Sequence, residues 1–236
     1  DLQEDLKLLR SLPVDWVHIP CIRKETIKLS DHHKKEILNI NKPCLLIFTS
    51  QESVKQAWRL AKLKKVMQKN INLTFGVKTA SLLRQLKLSV VHYKDCQTAF
   101  NFCQKIYESL SQNNLLILPG PVRRSFDLDK NLEKKGFQVL RLDLYRTIIE
   151  ARNSCDKGLT KQDYFDINNS QLIFFASPSA VEGFVKKCKR TIAFKNKKLA
   201  AYCIGESTQK KAEKYFTKIK VLNKTSIEAL KDILSC

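Results

Sequence analysis

Two short turns in this chain repeat one piece of chemistry: Gly76-Val77-Lys78-Thr79 and Gly205-Glu206-Ser207-Thr208. In each, a glycine after an apolar run lets the backbone approach a ligand closely. The helix N-terminus behind it offers unpaired N–H groups and the positive end of a dipole. Thr79 and Thr208 each add a hydroxyl, so Gly76, Lys78, Thr79, Gly205, Ser207 and Thr208 are candidate anion-binding residues. Ser50 and Ser177 end two further apolar runs at matched positions, with Ser179 close behind the second. Viewed alone, each serine is an ordinary N-cap. Gly120-Pro121-Val122-Arg123-Arg124 places two guanidiniums after a turn, an arrangement suited to carboxylates or phosphates. Tyr145 carries a phenol that either packs on an edge strand or, facing a cleft, donates a proton or a hydrogen bond.

Other chemistries find no support. The sequence has no G-x-G-x-x-G, no G-x-x-x-x-G-K-[ST] and no G-x-S-x-G elbow. Its eight cysteines include no C-x-x-C pair, which argues against a zinc or redox site. Several lie in apolar patterns and read as reduced, buried thiols. His32 and His33 are adjacent and cannot share a helix face, and His18 and His92 are isolated.

These candidates need elements to hold them, and the elements come twice. Leu46–Val54 returns as Ile173–Val181, and Phe75–Ala80 as Cys203–Thr208. Ser50 to Ser177 is 127 positions, while Gly76 to Gly205 and Thr79 to Thr208 are both 129. A third echo pairs Ala99 with Ala229, 130 positions on. Three matches in one order at one spacing mark two related α/β halves, with facing copies of a turn suited to gripping one ligand.

Along the chain, Asp1–Leu12 reads as an amphipathic helix, Val14–Ile19 as a short strand and Cys21–Ser30 as a connector. Strand Cys44–Phe48 leads to one helix over Ser53–Met67, with Ser50 or Ser53 as its N-cap. Strand Leu73–Phe75 turns at Gly76 into helix Thr79–Leu86. Strand Ser89–Tyr93 precedes helix Cys96–Leu110. Strand Leu115–Leu118 is ended by Pro119-Gly120-Pro121, and helix Leu128–Lys135 by Gly136. Gln138–Thr147 alternates, Val139, Leu142 and Leu144 being interspersed with Arg141, Asp143 and Tyr145. A loop over Asn153–Thr160 separates the halves. Strand Leu172–Ala176, helix Ser179–Cys188, strand Leu199–Ile204, helix Thr208–Tyr215, strand Ile219–Leu222 and helix Ser226–Leu234 complete the second half. Strands alternating with helices predict parallel sheets covered by helices on both faces. Ligands of such sheets bind beyond the carboxyl ends of the strands, where Ser50, Gly76, Gly120, Ser177 and Gly205 all fall.

Charge is the outlier: 43 Lys and Arg against 23 Asp and Glu give a net +20. Such a field captures polyanions. Nucleic acid is one such partner, but no nucleic-acid module is recognisable and the lysines are scattered through helix-like segments, so it ranks last. No apolar run approaches the roughly 18 residues of a membrane span. The opening residues are charged and unlike a signal peptide, so a cytoplasmic protein is expected. The chain begins on Asp1 without an initiator Met.

Taken together, the motifs resemble the uroporphyrinogen-III synthase family. The matching pieces are Phe48-Thr49-Ser50, Gly76-x-x-Thr79, Leu118-Pro119-Gly120 before arginines and Leu144-Tyr145-Arg146-Thr147. Ser177-Pro178-Ser179-Ala180-Val181, Ile204-Gly205-x-x-Thr208 and Thr225–Leu230 follow in the family's order. The resemblance implies two similar domains with parallel sheets flanked by helices, joined by a two-stranded linker with a cleft between them. The first domain would take residues 1–25 plus 148–236 and the inserted second domain 26–147, with linkers near 22–26 and 144–148. It also implies closure of hydroxymethylbilane to uroporphyrinogen III, with ring D inverted through a spiro-pyrrolenine and without metal or organic cofactor. Tyr145 matches the family tyrosine proposed to assist hydroxide departure, and Thr79 and Thr208 match the threonines of the two halves. With them, Ser50, Ser177, Ser179, Gly76, Gly205, Lys78, Ser207, Gly120, Arg123 and Arg124 are the expected substrate-binding residues. The expected partner is this polycarboxylate, with the preceding pathway enzyme as a further one; the protein is expected to act as a monomer, away from membranes. The family's opening strand, which ends in a Thr-Arg pair, is absent, so either the first domain's sheet lacks a strand or the chain is a trimmed fragment. A non-catalytic relative that binds a tetrapyrrole or another polyanion is the alternative.

Overall fold

In the computed structural model, residues 15–40, 42–149, 161–188 and 199–222 are described. The chain divides into two compact units, Lys24–Thr147 and Asp1–Arg23 with Ile148–Cys236.

The larger unit is built on a six-stranded sheet. Its strands are β1 (Ile22–Thr26), β2 (Cys44–Ile47), β3 (Ile71–Thr74), β4 (Val90–His92), β5 (Leu115–Pro121) and β6 (Gln138–Ile149), in the order β1-β6-β5-β2-β3-β4. The pairings of β6 with β5, β5 with β2, β2 with β3 and β3 with β4 are all parallel. Helices α1 (Asp31–Leu38), α2 (Gln51–Arg59), α3 (Ala61–Lys69) and α4 (Val77–Gln85) cover one face. Helices α5 (Ala99–Ser109) and α6 (Leu128–Lys134) cover the other. The continuous apolar run of β2 follows from this sandwiching: Cys44, Leu46 and Phe48 enter the first core, while Leu45 and Ile47 enter the second.

The smaller unit carries a parallel sheet in the order β7-β8-β9, from β7 (Leu172–Phe175), β8 (Ala200–Ile204) and β9 (Lys218–Leu222). Around it lie α7 (Lys161–Asn169), α8 (Pro178–Cys188) and α9 (Glu206–Ala212). The internal repeat is structural. The run β2–α2, β3–α4, β4 in one unit has the same sequence and neighbour order as β7–α8, β8–α9, β9 in the other.

Several expectations shift. Asp15–Pro20 is irregular, not a strand. It is held by packing instead of a ladder: the Lys187 ammonium donates to the Pro20 carbonyl, and Gly183 of α8 lies so close that a Cβ there would stand 2.2 Å from the Cys21 carbonyl oxygen. The connector that follows contains strand β1 beside β6. The single helix over Ser53–Met67 is two, because Leu60 takes an extended conformation (φ −89°, ψ 106°) that ends α2 and starts α3. On one unbroken helix, at about 100° per residue, Leu63 would point about 180° from Val54. The break lets Val54, Ala57, Leu63 and Met67 all enter the same core. Strand β5 continues through Pro119-Gly120-Pro121. Past Ile117 it pairs only with β6, leaving one side without a ladder, where prolines lacking N–H are tolerated. Gly136 ends α6 as expected. At φ +86°, its N–H reaches the Glu133 carbonyl and the Phe137 N–H the Leu132 carbonyl, a Schellman close. The helices expected over Asp1–Leu12 and Ser226–Leu234, the loop over Asn153–Thr160, the Thr225–Leu230 motif and the second half of the third echo lie outside the described residues.

Candidate active site around Tyr145

The alternation in β6 puts Leu140, Leu142 and Leu144 into the core under α1–α4, while Val139 packs with the opposite core. Strict alternation would send Tyr145 to the face of Arg141 and Asp143. A bulge prevents this. Gly120 pairs with Asp143 and Pro121 with Tyr145, so Leu144 is an extra residue and the phase of β6 flips at that point. Tyr145 therefore joins the same core as Leu144, only 4% exposed, and its phenol reaches the start of α2.

There it meets Ser50. The backbone of Ser50 is extended (φ −155°, ψ 153°), and its Oγ accepts the Ser53 N–H at 3.2 Å, the geometry of an N-cap. The Ser50 Oγ stands 2.8 Å from the Ser53 Oγ and 3.2 Å from the Tyr145 hydroxyl. Ser53 is fully buried. A relay of three hydroxyls thus runs from the first turn of α2 to the phenol. The Gln51 side chain donates to the Lys78 carbonyl at 3.3 Å, tying the Ser50 turn to the Gly76 turn at the neighbouring strand end.

The two glycine turns differ in backbone. Gly76 (φ −80°, ψ 125°) adopts a conformation open to any residue, and a Cβ there would come 3.2 Å from the Thr79 Oγ1. Gly205 (φ +74°, ψ 160°) lies in a region that glycine alone occupies readily, with open space around it. Thr79 and Thr208 are both buried on the first turns of their helices, whereas Lys78 and Ser207 are exposed. Ser177 caps α8, its Oγ accepting the Ala180 N–H at 3.2 Å, and Pro178 takes the first helical position. Ser179, next along α8, is half-buried.

The two arginines part company. Arg123 is exposed. Arg124 folds back across Gly120, donating to the Leu118 carbonyl at 3.0 Å and the Pro121 carbonyl at 3.3 Å. It stands 3.7 Å from Asp143. Arg141 bridges Asp143 and Asp129, at 2.9 and 3.0 Å. Burial, and then the neighbouring Arg141 charge, lower the pKa of Arg124 from its ordinary value. This charged cluster braces the bulge that aims Tyr145.

The family model for uroporphyrinogen-III synthase HemD matches residues 3–230. The chain belongs to that family. A porphyrin biosynthesis protein HemD from Ruminiclostridium josui is 25% identical over 232 residues, covering 96% of this chain and 44% of its own length. This chain therefore spans a little under half of that relative. The crystal structure of uroporphyrinogen-III synthetase from Helicobacter pylori matches with a TM-score of 0.66 at 18% identity, covering 92% of this chain and 91% of that one. A mutant uroporphyrinogen III synthase from the extremely thermophilic bacterium Thermus thermophilus matches at 0.59 and 16% identity, covering 98% and 92%. At such identities the two structures speak for the shared fold.

Some residues at this site escaped sequence reasoning. Lys24, Thr26, Glu52, Ser53 and Gln56 all stand close to the Ser50–Tyr145 pair or to one another. Ser53 was legible as the alternative N-cap to Ser50, though not as part of this hydroxyl relay. Lys24 and Thr26 had none, since they sit in a connector without alternation.

Proposed function

We propose that this protein is a uroporphyrinogen-III synthase, a lyase that closes hydroxymethylbilane to uroporphyrinogen III with ring D inverted. The observation that carries the reading is the Tyr145 phenol, turned by the bulge onto the Ser50 cap, in a chain of this family. With Ser50 donating to the phenol oxygen, the phenol proton is left for the substrate. That proton passes to the departing ring A hydroxyl, which leaves as water, and an azafulvenium cation remains beside the phenolate. Ring D attacks through its substituted carbon to give the spiro-pyrrolenine, which fragments and recloses inverted. The proton lost as the last pyrrole regains aromaticity restores the phenol. The turns at Gly76 and Thr79, at Gly205 and Thr208, and at Ser177 would hold acetate and propionate groups through helix N–H groups. The bilane is already reactive, so the protein contributes chiefly orientation and stabilisation of developing charge. In this reading the protein works in the cytoplasm as a monomer.

The test is a coupled assay that generates hydroxymethylbilane in place and separates the oxidised type I and type III isomers. Wild-type protein should yield type III in excess of the spontaneous type I. Tyr145→Phe should slow type III formation by roughly 10²-fold, leaving residual activity. Only type I, from folded wild-type protein, would reject the reading.

A further inference from the structure

The ammonium of Lys24 stands 5.8 Å from the centre of the Tyr145 ring and 3.4 Å from Glu52 Oε2. Glu52 is itself held. Its other oxygen accepts from Gln56 Nε2 at 2.7 Å, and Thr26 Oγ1 donates to Gln56 Oε1 at 3.0 Å. A polar line thus runs from β1 over α2 and ends on a cation beside the phenol. The two charges differ in access: the Lys24 side chain is 45% exposed, the Glu52 side chain 18%.

We propose that Lys24 is a substrate-binding residue, whose ammonium receives a substrate carboxylate beside the Tyr145 phenol, with Glu52 as its resting partner. The inference rests on the synthase reading and adds a residue to it. An ammonium has three donors, so it can keep Glu52 and still take a second carboxylate on its solvent side. An ion pair this exposed contributes little to stability, so sharing or exchanging the partner costs little. Lysine also suits flexible acetate and propionate arms, being a point charge on a mobile stem with no rigid fork to satisfy. Without Lys24, the Glu52 carboxylate would stand uncompensated where a polycarboxylate must approach.

Lys24→Met, Lys24→Arg and Glu52→Gln proteins, assayed for type III product and melted in parallel, test the proposal. Lys24→Met should raise KM by about ten-fold, the worth of one charge-assisted hydrogen bond, with kcat and Tm nearly unchanged. Lys24→Arg should recover most of that loss. Glu52→Gln, which keeps the cation and removes a carboxylate that competes with the substrate for it, should leave KM no higher than wild type. An unchanged KM in Lys24→Met overturns the proposal, as does an equal loss in Glu52→Gln, which would mark the pair as a structural tie. Failure of the synthase reading shows separately, as wild-type protein that yields no type III isomer. In that event a fluorescence titration with uroporphyrin decides: weaker binding by Lys24→Met alone keeps Lys24 as a carboxylate site, and equal binding by all three variants removes it.

Discussion

Asp129 shows how a single charge supports the site from behind. Its carboxylate lies almost fully buried, 3.0 Å from the Arg141 guanidinium, on the helix that packs behind the bulged strand. Burial alone would raise its pKa. The hydrogen bond from Arg141, with the charges of Arg141 and Arg124, outweighs burial and holds it below its ordinary 3.8. A carboxyl with a lowered folded-state pKa stabilises the fold above its unfolded value, and that contribution is lost as pH falls through the folded one. Asp129→Asn should therefore cost about 3 kcal/mol at neutral pH, the range for breaking a buried pair. The deficit should shrink on acidification below pH ~4, where the wild type protonates as well. Urea midpoints at neutral and acidic pH read this directly, and an equal deficit at both would contradict it. Ser50 and Ser177 were legible in the sequence as caps because cap signals act within three residues. The turning-back of Arg124 onto Leu118 and Pro121 was not, since it depends on where β5 lies.

Among the elements, the strand-to-helix turn comes in two copies that the backbone treats differently. Gly205 occupies a conformation that a Cβ strains, while Gly76 does not. Gly205→Ala should lower stability by about 1–3 kcal/mol despite the open space around it. Gly76→Ala asks only that Thr79 shift by a few tenths of an ångström, so its cost should be smaller. Thermal melts of the two variants should separate clearly; equal losses would mean that the copies share one requirement. Sequence similarity at these turns is real but blind to this difference, because glycine is written the same way whatever φ it adopts. The division of the expected helix at Leu60 was readable in part. Val54 and Ala57 fall on a different face from Leu63 and Met67 on one helical wheel, which a single amphipathic helix cannot satisfy.

At the scale of the whole molecule, each unit has its own hydrophobic cluster, two of them in Lys24–Thr147. A fragment carrying the complete strands β1 and β6, residues 22–149, should fold alone and unfold in urea as one cooperative transition. A non-cooperative transition, or loss of near-UV dichroism, would show that it needs the rest of the chain. Charge is uneven at this scale too: no acidic residue lies between Glu52 and Asp95, a stretch holding the rest of α2 after Glu52, all of α3 and α4, and the turn at Gly76. Composition, the internal repeat, the alternation of strands with helices, and the caps were determined by the sequence itself. Each is a matter of residue type and spacing within one element, or of like segments recurring along the chain. Which face Tyr145 takes, and that Lys24 stands beside it, only the tertiary structure decided. The bulge arises from the pairing of Gly120 and Pro121 with Asp143 and Tyr145, and the approach of Lys24 from β1 lying next to β6 in the sheet. Such register is set by packing between residues far apart in the chain, where periodicity and propensity carry no information.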